Sequence, residues 1–136
     1  MSWLESYQES ELLASKAEAQ IRARNYSAAE QLYQRAANLE MKAFSDLDGS
    51  KPRTLGIIGV SAAALLFKSK NFSDTERFAI QALNHPALPQ FARFQLRQIL
   101  QDAWVEQDKV KNAQIAFLPG QVQVSAHWCM HQNAIG

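Results

Sequence analysis

Cysteine, helix-breaking residues, excess charge and long apolar runs are all scarce in this sequence of 136 residues. The single cysteine, Cys129, excludes a disulfide within the chain and fits a reducing compartment. Proline and glycine number four and five, and both are absent before residue 49 and again between residues 60 and 85. Long stretches are thereby left free to be helical. Fourteen Lys and Arg against thirteen Asp and Glu leave a net charge of +1. The densest basic features are Lys51 with Arg53 and Lys109 with Lys111. A surface that displaces counterions from phosphates needs more, so the composition argues against nucleic acid as the partner. The one long uncharged run, Thr54 to Phe67, falls short of the roughly twenty apolar residues of a bilayer span. It also contains Gly56 and Gly59, which points to a buried helix and to no membrane span. The N-terminus is acidic and lacks the basic start and apolar centre of a signal peptide, so the expected location is the cytoplasm.

What the chain does have is helical periodicity. From Ser2 to Arg24, Trp3, Tyr7, Ala14, Ala17 and Ile21 recur on one face. Ser27 with Glu30 then reads as a capping box, in which serine and glutamate each satisfy an orphan amide, and it predicts a second helix from about residue 28 to 45. That helix buries Ala29, Leu32, Tyr33, Ala36 and Ala43, with Glu40 intruding on the same stripe. After a loop at 46–52, a third helix over about 53–70 is apolar nearly all round, which implies burial on most sides. Its Gly56, Gly59 and Ala63 allow a neighbouring helix to come close. Ser73 with Glu76 repeats the capping signal for a fourth helix, about 74–84, and Pro89 opens a fifth that runs to about Asp108. Ala92, Leu96, Ile99, Leu100 and Ala103 form its inward stripe. These helices make one unit over residues 1–112, followed by a tail, 113–136. Partial alternation at 113–118 and 121–125 around Pro119-Gly120 admits a short C-terminal β-hairpin.

The strongest organising signal is internal repetition. Asn25-Tyr26-Ser27-Ala28-Ala29-Glu30 matches Asn71-Phe72-Ser73-Asp74-Thr75-Glu76 at an offset of 46 residues. Each block lies between two helices. With Ala17, Tyr26, Ala29, Tyr33 and Ala36 in the first unit and Ala63, Phe72 and Ala82 in the second, residues 11 to 84 resemble the tetratricopeptide repeat family. The spacing of 46 exceeds that family's 34, Thr75 and Ala79 stand where a small residue and an aromatic are expected, and there are two units. The resemblance implies an all-α fold of two antiparallel helical hairpins closed by a terminal helix. It further implies a protein or peptide partner, bound on the face made by the first helix of each unit. The corresponding positions are Glu11, Ala14, Glu18 and Ile21, then Ile57, Val60, Ala64 and Phe67. The Lys, Arg and Asn residues with which some members grip a C-terminal carboxylate are missing there.

Chemistry offers less. His127, Cys129 and His131 alternate and would share one face of a strand, where they supply three of the four ligands that a structural zinc takes. They support an alternative reading as a small metal-binding protein or enzyme. No glycine-rich phosphate loop follows a strand. Glu9 with Glu11 and Asp46 with Asp48 read as solvated carboxylates, and His85 before Pro86 as a partner for helix-terminal carbonyls. No cofactor is expected. On the fifth helix Phe91, Phe94 and Val105 lie off the inward stripe, with Trp104 between the two faces; a second apolar stripe often marks an interface, and a two-layer bundle that buries both faces of the helix accounts for it equally. The sequence thus reads as a non-catalytic adaptor or assembly module. Its partner-binding residues are Ile57, Val60, Ala64, Phe67, Phe91, Phe94 and Trp104, and the same surface can make it a homo-oligomer.

Overall fold

Ser2 starts the first helix: its Oγ accepts from the amide of Glu5 at 3.2 Å, satisfying one of the donors that a helix leaves unpaired at its N-terminus. A computed structural model describes residues 2–115 as five helices with no strand among them. These are α1 (Trp3–Arg22), α2 (Tyr26–Asp46), α3 (Pro52–Lys68), α4 (Phe72–Leu83) and α5 (Gln90–Ile115). Three-residue connections make α1–α2 and α3–α4 antiparallel hairpins, because a chain that short can only double back. The all-α expectation holds.

The repeated hexapeptide coincides with a repeated turn. After α1, Arg24 adopts φ 63°, and after α3 Lys70 adopts φ 65°. Around Arg24, its own amide donates to Ile21 O and that of Asn25 to Gln20 O; around Lys70, the pairs are Lys70 to Phe67 O and Asn71 to Leu66 O. This is the Schellman arrangement, which satisfies carbonyls that a helix end would otherwise leave bare. The next helix begins at once, so Asn25 and Asn71 take the cap positions. Ser27 and Ser73, expected to be caps, lie inside the first turn instead. Asn71 Oδ1 accepts from the amide of Asp74 at 3.2 Å, whereas Asn25 turns its amide to Gln20 at 2.9 Å.

Helix α3 is the centre of the molecule and packs on α2, α4 and α5. Leu55, Ile58, Ala62, Ala63, Leu65 and Leu66 are buried on it. Gly56 lies directly under α5: a Cβ there would come within 2.8 Å of Pro89 Cγ and 3.0 Å of Ala92 Cβ. Gly59 similarly admits the Phe44 ring, whose edge would stand 3.0 Å from a Cβ. The inward stripe of α5 is the expected one, with Ala92, Leu96, Leu100 and Ala103 buried and Ile99 partly so. On α1 the buried line is instead Ser6, Ser10, Leu13 and Ala17. Trp3, Tyr7 and Ala14 pack beside it and Ile21 is exposed, because α2 meets α1 about one residue round from its apolar maximum.

The α4–α5 corner is tied by one side chain. Arg93 donates to Leu83 O at 2.7 Å, His85 O at 3.0 Å and Leu88 O at 3.2 Å. His85 itself accepts from the Ala87 amide through Nδ1 and sets its ring edge-on to Phe44, so Arg93 takes the carbonyl-capping role foreseen for the histidine. Helix α5 continues to Ile115, making residues 113–115 helical where alternation had suggested a strand. The remainder of the hairpin expected at 113–125 lies outside the described residues. Among those described, no helix is long and apolar enough to cross a membrane.

Candidate functional site

Helices α1 and α3 both pack on α2 without packing broadly on each other, and an open groove runs between them over α2. Its first part is a notch of 360 Å³ lined by Ser10, Glu11, Ala14, Ser15 and Glu18 of α1, Glu40 of α2, and Ser61, Leu65 and Lys68 of α3. Its second part, sharing Lys68, is a hollow of 630 Å³ lined by Ile21, Tyr26, Glu30, Tyr33 and Lys70. One end is therefore acidic and hydroxyl-rich, and the other aromatic.

Glu40 forms the base of the notch and is only 2% exposed. Its Oε2 accepts from Ser10 Oγ at 2.9 Å and Ser61 Oγ at 3.0 Å, so helices on both sides of the groove converge on it. Its Oε1 has no hydrogen-bond partner among the described residues. Burial pushes the Glu40 carboxyl above the usual carboxylate range, against the two serine hydrogen bonds, which favour the ionised form. Glu11 on the groove wall leaves its mark on Tyr7: hydrogen bonding toward that carboxylate, ahead of burial, pushes the phenol up to about 12. Lys68 stands between the two parts with its Nζ 5.7 Å from the centre of the Tyr33 ring, a cation–π distance.

The residues singled out from the sequence separate into three places. Glu11, Ala14 and Glu18 line the notch and Ile21 the aromatic hollow, the face that the family resemblance implies for α1. On α3 the groove is met by Ser61, Leu65 and Lys68, one residue on from Val60, Ala64 and Phe67. Ile57 is exposed, Val60, Ala64 and Phe67 are half-buried, and the Phe67 ring lies edge-on to Phe72 at 5.1 Å. On α5, Phe91 reaches the α3 backbone at Gly56, Phe94 is 61% exposed opposite the core, and Trp104 and Val105 are exposed as well. Gln107 donates to Glu76 Oε2 at 2.8 Å, and this bond, with a smaller influence from Trp104, holds that carboxyl below its usual range.

The groove's polar floor was not foreseen. Glu40 looked like an intrusion on an apolar stripe, and the signal that would have paired it is a second one: Ser6 and Ser10, spaced by one turn on the buried line of α1. The His127, Cys129 and His131 cluster lies outside the described residues. Among the described ones, no group of three or more His, Cys, Asp or Glu is placed to hold a metal ion. Comparison of the chain with protein-family models, curated proteins and solved structures returned no match.

Proposed function

We propose that the protein is a non-catalytic interaction module, of tetratricopeptide-like design, that holds a short segment of a partner protein in the groove between α1 and α3. The observation that carries this reading is the groove itself. It is open along α2, walled by two helices, and offers an acidic recess beside an aromatic one. Binding sites combine apolar surface with a few placed polar groups, and that combination occurs here. The matching Schellman turns at Arg24 and Lys70 support the repeat resemblance, since they make the two hairpins equivalent where the chain reverses. The aromatic stripe on the far side of α5, with Phe94 at its centre, supplies a second surface, as an adaptor or a self-assembling subunit requires. The single cysteine agrees with work in the reducing cytoplasm.

Site-specific photo-crosslinking tests this reading. A benzophenone side chain at Ser15, on the exposed groove wall, should give a covalent adduct whose attached peptide maps to one short stretch of a partner. The same group at Gln98, one turn from Phe94 on α5, reports contacts of the second surface. Adducts from Gln98 alone would overturn the assignment of the groove.

A further inference from the structure

Helix α5 carries a stripe on each of two opposite sides. Across from the buried line of Ala92, Leu96, Leu100 and Ala103 run Phe94, Gln98, Gln101 and Val105, all exposed. Their spacing of four, three and four is that of the a and d positions of a coiled-coil seam. The seam points away from α3 and α4, the helices on which α5 packs, and so leaves room for another helix along it. Asp108, the next seam position, sets the limit. Facing a copy of itself it would be repelled, which ends the contact at Val105.

The flanks of this seam carry complementary charge. Arg97 and Asp102 are exposed, and neither makes an ion pair among the described residues. No acid stands three or four residues from Arg97 on α5, and no base three or four from Asp102. The two side chains themselves project about 140° apart around the helix, one on each side of the seam, so they cannot pair with each other. In heptad terms Arg97 takes position g and Asp102 position e. Two helices running in the same direction set each g of one copy against the following e of the other. Antiparallel helices set g against g and e against e, where Arg97 meets no carboxylate.

We infer that a second copy of this chain occupies the outer face of α5, as a parallel helix pair in which Arg97 of each copy meets Asp102 of the other. The seam residues suit their own copies. Phenylalanine and valine bury against their like, and each glutamine amide has both a donor and an acceptor for its twin. Polar layers of this kind fix register and orientation at a cost in stability. From Phe94 to Val105 the contact runs about 17 Å, which places it with small, transient interfaces and not with obligate ones. Helix α5 lines neither part of the groove, so the pair keeps two grooves open. A partner carrying two segments would then bind with an avidity that one copy lacks.

Sedimentation equilibrium of the full chain, over a hundredfold range of concentration at low salt, reads the association. The wild type should pass from monomer to dimer. Arg97→Glu and Asp102→Arg should each weaken the dimer fivefold or more, by setting like charges together on both flanks. The double reversal R97E/D102R should bring it back to within twofold of wild type. Both positions are exposed, so circular dichroism should be unchanged in all three variants. In a Cys129→Ser background, Val105→Cys should form a disulfide with its own copy under mild oxidation, because a parallel pair sets like positions side by side. Crosslinking only after a Phe94→Cys copy is mixed in would show an antiparallel pair and overturn the inference. A double reversal as weak as the single variants would also overturn it. So would a wild type that stays monomeric, including one whose Gln98 photo-adduct is a different protein. None of these results bears on the Ser15 crosslink, which tests the groove separately.

Discussion

Arg24 and Lys70 occupy the same left-handed backbone conformation, φ 63° and 65°, at the same place in two helix-terminating turns. Both follow the last turn of the first helix of a hairpin, and both precede an asparagine that opens the next helix. A side chain with a Cβ is disfavoured there by roughly 1–2 kcal/mol, and glycine is the usual occupant. Glycine also costs more entropy on folding, which returns part of that gain. Arg24→Gly and Lys70→Gly should each stabilise the protein by about 0.5–1 kcal/mol, read from urea unfolding. A loss of stability in either variant would mean that the arginine or lysine side chain holds something the turn needs.

Glu40 makes stability depend on pH in an unusual direction. Burial raises its carboxyl in the folded state, so the folded protein binds that proton more tightly than the unfolded chain does. The group costs nothing below the ordinary carboxyl value, and its penalty grows as pH rises through the folded value. Glu40→Gln removes the charge and retains an acceptor for Ser10 and Ser61. It should therefore stabilise the fold by about 1 kcal/mol at pH 7 and make no difference near pH 4. Thermal melts of both proteins across that range check the sign, and a variant less stable at pH 7 would contradict it.

Arg93 holds three carbonyls around the α4–α5 corner. Removing it takes the guanidinium away from Leu83 O, His85 O and Leu88 O, at about 2–3 kcal/mol for the charge-assisted bonds lost. Arg93→Ala should unfold at correspondingly lower urea, and Arg93→Lys should recover only part, since an ammonium cannot reproduce the guanidinium fork. Full recovery by lysine would show that charge alone matters.

Gly56→Ala sets two effects against each other. Alanine improves helix propensity by about 1 kcal/mol, but its methyl group would meet Pro89 Cγ at 2.8 Å and Ala92 Cβ at 3.0 Å. Neither a proline ring nor a Cβ can swing away, and overpacking of this kind costs about 1–3 kcal/mol. The expected result is a net loss in calorimetry. A gain would mean that α5 shifts outward freely.

Phe94 faces away from the core and is 61% exposed, so Phe94→Glu should change stability by no more than about 0.5 kcal/mol. If the α5 stripe joins two copies, light scattering should show the wild type as an oligomer and the variant shifted to monomer. A wild type that stays monomeric at high concentration would end the self-association proposal.

Helix number, the inward stripe of α5 and the repeated turn were legible because each depends on residues three or four apart, or on one hexapeptide copied at an offset of 46. Glu11, Ala14 and Glu18, positions that the resemblance to a repeat family implies, line the notch between α1 and α3. The phase of one helix against another is not local in that sense. It is set by which side chains interlock at each crossing, and a shift of one residue turns the groove-lining residues of α3 from Val60, Ala64 and Phe67 to Ser61, Leu65 and Lys68. The same reason hid the partners of Glu40, which come from 30 residues before it and 21 after. In the sequence this glutamate only interrupts an apolar stripe. Packing of α1 and α3 on either side of α2 surrounds it with hydroxyls and opens a recess above it.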